Sequence, residues 1–135
     1  MKTVFVDTNI FLRFLTRDQE KQFQACRRLF VRAKQGKIKL TTSALVVFEL
    51  IWTITSYYQE SKESVIEKMM SILDFPNLAI EHEELFLESL LLWQQQNTEF
   101  NDAFNYMLAK RKKIRDIYSF DKHFDTFPQV TRQEP

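Results

Sequence analysis

The sequence predicts an α/β fold in which a parallel sheet is covered by helices on both faces. Three observations point there. Short apolar stretches at 3–6, 37–41, 78–80 and 117–120 have strand length, and helical segments separate each from the next. Those segments repeat apolar residues at three- and four-residue spacing. Cap and breaker residues, among them Gly36, Ser43, Ser61, Pro76 and Asn77, fall at the joints.

The chain opens on a short buried strand over 3–6, and Asp7-Thr8-Asn9 turns into an apolar helical segment over 10–15. Thr16-Arg17-Asp18-Gln19 fits a capping box, with a hydroxyl on an amide and Gln19 reaching back. The helix that follows carries Phe23, Cys26, Phe30 and Ala33 on one face, and Gly36 supplies the left-handed residue that ends it. A second strand over 37–41 leads to Ser43, a cap for an apolar helix that runs to about Tyr58. Ser61 starts another helix, with Val65, Met69, Ile72 and Leu73 inward, broken at Pro76-Asn77. A strand at 78–80, an amphipathic helix over 83–96, a break at Asn97-Thr98 and a helix over 102–113 come next. A strand over 117–120 and an edge strand over 129–131 close the order.

At 135 residues the chain fits one domain, residues 1–135, and can bury about two-thirds of its unfolded surface. Its net charge of +1 leaves the question of nucleic acid to local clusters. The single glycine excludes dinucleotide fingerprints and phosphate-cradling loops, which need several. The lone cysteine, Cys26, falls on an apolar helix face and makes no internal disulfide. Asp7 arrives too early for a secretory signal, and no apolar run reaches the ~18 residues that span a bilayer. A reducing cytoplasm is the expected location, with no membrane association.

Four acids carry the chemistry. Asp7 directly follows the first strand and Asp121 the strand near 117–120; in parallel sheets the ligand crevice lies beyond these carboxyl ends. Asp102 opens the helix leading into the Asp121 strand, with Glu99 three residues earlier. Glu49 stands in the apolar run ALVVFELIWTI, between Leu45 and Val46 on one side and Trp52 and Thr53 on the other. A buried carboxylate without a partner neutralises, pairs or binds a metal, so Glu49 is expected to be held in one of these ways. Taken singly, Asp7 or Asn9 is a helix cap, Asp102 a charge on a helix dipole and Asp121 a turn residue. Taken together they repel, and a divalent cation removes the conflict. Oxygen donors without histidine or cysteine suit Mg²⁺ or Mn²⁺. His82 and His123 lack ligand spacing and read as surface or packing residues.

The stretches VFVDTNIFLRFL at 4–15, VFELIW at 47–52, FNDAFNYMLAK at 100–110 and IYSFDKHFD at 117–125 resemble, in order and spacing, the acidic motifs of PIN-domain ribonucleases. The nearest likeness is to VapC-type toxins of toxin–antitoxin pairs. The resemblance implies a three-layer α/β/α sandwich with a central parallel sheet of four or five strands. It implies Mg²⁺- or Mn²⁺-dependent endonucleolytic cleavage of RNA, with Asp7, Glu49, Asp102 and Asp121 as the catalytic and metal-binding acids. Asn9 matches a bracing polar residue, and Thr8 supports the same turn. Ser119 stands where relatives carry threonine, and Glu99 where many carry aspartate. The resemblance also implies a homodimer and a cognate antitoxin, for which Trp52, Tyr57, Tyr58, Phe86 and Trp93 offer apolar surface. Basic groups expected at RNA are Arg13, Lys110, Arg111, Lys112, Lys113 and Lys122, with Arg115 beside them. A second basic run comprises Arg27, Arg28, Arg32, Lys34 and Lys37.

Three rivals compete. A haloacid-dehalogenase-type phosphatase needs a second aspartate two residues after the first, where Asn9 stands. A receiver domain needs paired acids before the first turn and a lysine after a late strand, where Lys122 follows an aspartate instead. A non-catalytic RNA- or protein-binding module on the same fold is expected to have lost an acid, and all four are present.

Overall fold

The computed structural model describes residues 1–135. Their order is β1 (Thr3–Phe5), α1 (Thr8–Thr16), α2 (Glu20–Lys34), β2 (Lys39–Thr42), α3 (Ala44–Ser56), α4 (Lys62–Leu73), β3 (Leu78–Ile80), α5 (Glu83–Gln95), α6 (Phe100–Arg111), β4 (Asp116–Tyr118), a 3₁₀ turn (Lys122–Thr126) and β5 (Thr131–Gln133). The 3₁₀ turn was not foreseen from sequence. The chain gathers into two compact units, Met1–Glu83 and Glu84–Pro135. All ladder pairs are parallel, as the α/β alternation predicts. They join three strands in the first unit and two in the second, five parallel strands in all, in keeping with the α/β PIN-like fold that the resemblance implies.

In the first unit β2 lies between β1 and β3, with Leu40 opposite Val4 and Leu78. Leu40 is flanked by a strand on each side and is fully buried. β1 is an edge of this sheet, which corrects the expectation of a buried first strand: Phe5 is 60% exposed, and only Val6, just past the strand, is buried. The helices pack through aromatic contacts: Phe30 of α2 stacks on Phe14 at 4.5 Å, lies 5.6 Å from Phe11, and meets Phe75 edge-on. Such pairs add about 0.5–1.5 kcal/mol each beyond their area. Gly36 has φ +76°, the left-handed value for which its lack of a Cβ suits it, and its amide bonds back to Ala33 O.

The capping box is corrected. Gln19, not Thr16, precedes α2, and it makes no side-chain cap. Thr16 is the last residue of α1 and donates back to Leu12 O at 2.6 Å. Ser43 and Ser61 do cap α3 and α4, accepting from Val46 N at 3.2 Å and Ser64 N at 3.1 Å. Ser43→Ala should therefore cost about 1 kcal/mol in urea unfolding, where an uncapped surface serine would cost nothing measurable.

In the second unit, Phe86 stacks parallel to Phe100, with Phe104 beside it, and Trp93 meets Phe100 edge-on at 5.5 Å. The Trp93 indole donates to Thr98 O at 2.9 Å, pinning the α5–α6 turn. Tyr106, Phe124 and Phe127 form a separate buried cluster under β4 and β5, against Ile117 and Val130. Phe86 and Trp93, offered above as interaction surface, are thus core. Trp52 and Tyr57 remain 67% and 76% exposed. No helix is long and apolar enough to cross a membrane.

Candidate functional site

Asp7, Asp102 and Asp121 sit at helix starts, and Glu49 lies in the second turn of α3. In the first unit Asp7 is the N-cap of α1, its Oδ1 accepting from Thr8 N at 2.8 Å. The Thr42 hydroxyl donates to Val6 O at 2.7 Å and so ties the end of β2 to the turn that carries Asp7. Thr8 is buried, and its hydroxyl donates to Glu49 Oε2 at 2.6 Å. Helix α3 buries Val46, Val47, Leu50, Ile51 and Ile54, while Glu49 points outward and is exposed, correcting the expected buried setting. A run apolar all round conceals which side faces solvent. Asn9 is exposed on the first turn of α1. Thr8→Val keeps the shape and removes the hydroxyl. We expect a loss of about 1 kcal/mol by chemical denaturation, because water can still reach exposed Glu49. A loss above about 3 kcal/mol would contradict that solvated setting.

In the second unit Asp102 lies in the first turn of α6, with Glu99 at the N-cap position making no side-chain cap. Asp121 caps the 3₁₀ turn and accepts from His123 N at 2.9 Å. The Ser119 hydroxyl oxygen accepts from Asp121 N at 3.0 Å, so the small hydroxyl residue braces the acid. His123 Nδ1 lies 2.8 Å from Asp121 Oδ1 and 3.5 Å from Asp102 Oδ2. One oxygen from each aspartate and one histidine nitrogen fall within 4.8 Å of one another.

His123 is the residue that sequence reasoning missed; it is no bystander. The available signal was its place two residues after a strand-end aspartate, where a side chain can take the following amides in a turn. Asp102 and Asp121 titrate as a pair. Burial pushes Asp102 up to about 6, helped by its hydrogen bond to Asp121 and that group's charge, with His123 pulling the other way. Asp121 is held below the usual carboxylate range, first by the His123 amide and then by Asp102. As the pH falls, the pair therefore takes up its first proton well above the ordinary carboxylate range. Two carboxylates that repel when both are ionised form a pair a hard dication fits, since the ion relieves the repulsion.

The expected basic residues separate. Arg13 is held by Asp18 at 2.9 Å and by Gln22 at 2.8 Å, and Arg111 by Glu88 at 3.0 Å. Lys122 opens the 3₁₀ turn and is exposed; Lys112 is the C-cap of α6. Tyr58 is tied to Asp18 at 2.8 Å.

Residues 4–130 match the family model described as PIN domain. The chain is 25% identical over 119 residues to a VapC ribonuclease of Aquifex aeolicus strain VF5, covering 88% of this chain and 87% of that one. Among solved structures it overlaps VapC20 of Mycobacterium tuberculosis, described as a sarcin-ricin loop cleaving toxin. That match has 17% identity and a TM-score of 0.43, covering 93% of this chain and 97% of the other. It also overlaps VapBC2 of Rickettsia felis, bound to a DNA fragment from its promoter. Here the identity is 14% and the TM-score 0.39, with 99% and 98% covered. At TM-scores below 0.5 these superpositions are too loose to transfer anything to this chain.

Proposed function

We infer the activity from one premise: this chain belongs to the PIN domain family, whose model spans nearly its whole length. It is an endoribonuclease that hydrolyses RNA phosphodiester bonds with the help of Mg²⁺ or Mn²⁺, and it acts as the toxin of a toxin–antitoxin pair in the cytoplasm. The observation that carries this reading is the close group of Asp102, Asp121 and His123, in which burial and the neighbouring Asp121 raise the Asp102 carboxyl to about 6. The relative from Aquifex aeolicus supports RNA as the substrate and the toxin role.

Asp102 and Asp121 would hold the ion, with His123 beside them. When bound, a dication supplies an acidified water and a counter-charge for the phosphate oxygens. This chain's own groups do the rest. Ser119 and the His123 amide orient Asp121. Asp7 and Glu49, joined through Thr8, supply the first and second acids of the family motif. An antitoxin and a second copy of the chain are its proposed partners, with exposed Trp52 and Tyr57 available to cover.

The test compares wild type with Asp7→Asn on an unstructured RNA, with Mg²⁺, with Mn²⁺ and with chelator. We expect cleavage by wild type with either ion, none with chelator, and a loss of at least about 100-fold in the variant, beyond the 10–100-fold typical of outer-shell changes. Equal activity in both proteins would rule the reading out.

A further inference from the structure

The basic run at the end of α6 does not behave as one solvated face. Arg111 turns to Glu88 and Glu84, whereas Lys110, Lys113 and Arg115 line a groove of about 580 Å³. No carboxylate lines this groove, and none of the three cations is held in an ion pair. Its apolar lining comes from Ile114, Val130 and the buried Tyr106, with Gln129 and Thr131 completing it. The volume falls in the roughly 300–1,000 Å³ range of small-ligand sites.

The walls are fixed. Thr131 N donates to Arg115 O at 2.7 Å, Ile114 N to Ala109 O at 2.9 Å, and the Tyr106 hydroxyl to Pro128 O at 2.8 Å. Lys113 and Gln129 are both held at positive φ, 59° and 68°, which costs a side-chain-bearing residue about 1 kcal/mol or more. Such strain persists only where the surrounding structure over-determines it. The groove sits at the far end of α6 from the acid pair. Lys110 stands eight positions after Asp102, about 12 Å along the helix at ~1.5 Å per residue.

We propose that this groove seats one unpaired nucleotide of a single-stranded RNA, its phosphate between Lys110, Lys113 and Arg115 and its base against Ile114 and Val130. Three uncompensated cations match a phosphate-bearing strand, and an apolar lining completed by an amide and a hydroxyl matches a base better than it matches the carboxylates of an acidic peptide. The identity of the polymer rests on the ribonuclease reading; the groove's chemistry does not.

The test uses the full chain carrying Asp121→Asn, in chelator, so that bound RNA is not cut. Anisotropy of a labelled unstructured 12-nucleotide RNA is compared with and without Lys110→Gln, Lys113→Gln and Arg115→Gln together. We expect Kd to rise at least 10-fold and the salt slope to flatten by about 2, at ~0.7 per phosphate contact on a single strand. Lys2→Gln, Lys21→Gln and Lys39→Gln together, removing the same charge elsewhere, should change Kd less than about 3-fold. Unchanged RNA affinity in the groove variant, or an equal loss in the control variant, would overturn the proposal. So would a polyglutamate peptide that binds the groove as tightly as the RNA, which would assign it to an acidic polypeptide. If wild type fails to cleave yet the anisotropy result holds, the ribonuclease reading falls and the groove stands; if cleavage holds and the groove variant binds normally, the groove falls alone.

Discussion

Asp102→Asn is expected to lower metal-dependent RNA cleavage by at least about 100-fold while leaving the metal-free protein as stable as wild type or more so. The stability half follows from the sign of the titration. The folded-state value near 6 lies above the ordinary 3.8, so the native protein holds this proton more tightly than the unfolded chain does. The stability it confers is fully present below about pH 4 and is lost as pH rises through about 6, by at most roughly 3 kcal/mol. Asp121, whose value is lowered, works the other way and only at more acid pH. The melting temperature of the variant minus that of wild type, both in chelator, should therefore grow by several degrees from pH 4 to pH 7. Mg²⁺ should raise wild-type melting above pH 6 and leave the variant unmoved. A variant that melts clearly below wild type at pH 7 without metal would mean that the two aspartates do not repel.

Phe11→Ala should produce the largest loss of stability. Phe11 is fully buried on α1, one turn after the Asp7 cap, with its ring 5.6 Å from Phe30. Emptying such a site costs about 3–5 kcal/mol, a third or more of the stability of many domains. The urea midpoint should fall at unchanged slope, and cleavage should become heat-sensitive because the same helix orients Asp7 and Thr8. Trp52→Ala, of similar bulk but 67% exposed, should cost less than about 0.5 kcal/mol in the free chain. Comparable losses from both would show that Trp52 is packed in solution.

Local chemistry made most elements legible. Ser43, Ser61 and Gly36 act on amides and carbonyls within a few residues, so their roles follow from spacing alone. The strand at Leu78–Ile80 and the inward face of Cys26, Phe30 and Ala33 follow from periodicity for the same reason. Thr16 misled because its hydroxyl had a competing acceptor one turn back, Leu12 O, which a cap motif does not reveal.

The sequence by itself determined the α/β alternation, the parallel strands, the helix boundaries to within a few residues, and which carboxylates stand at strand ends and helix starts. The tertiary structure alone decided that Glu49 faces outward to meet Thr8, forty-one positions away, and that His123 joins Asp102 and Asp121. It also decided which cations are spent on Asp18 and Glu88 and which line an open groove. The physical reason is range. Caps and periodicity are set by neighbours within one helical turn, whereas the pairing of a charge depends on what long-range packing brings within about 4 Å of it.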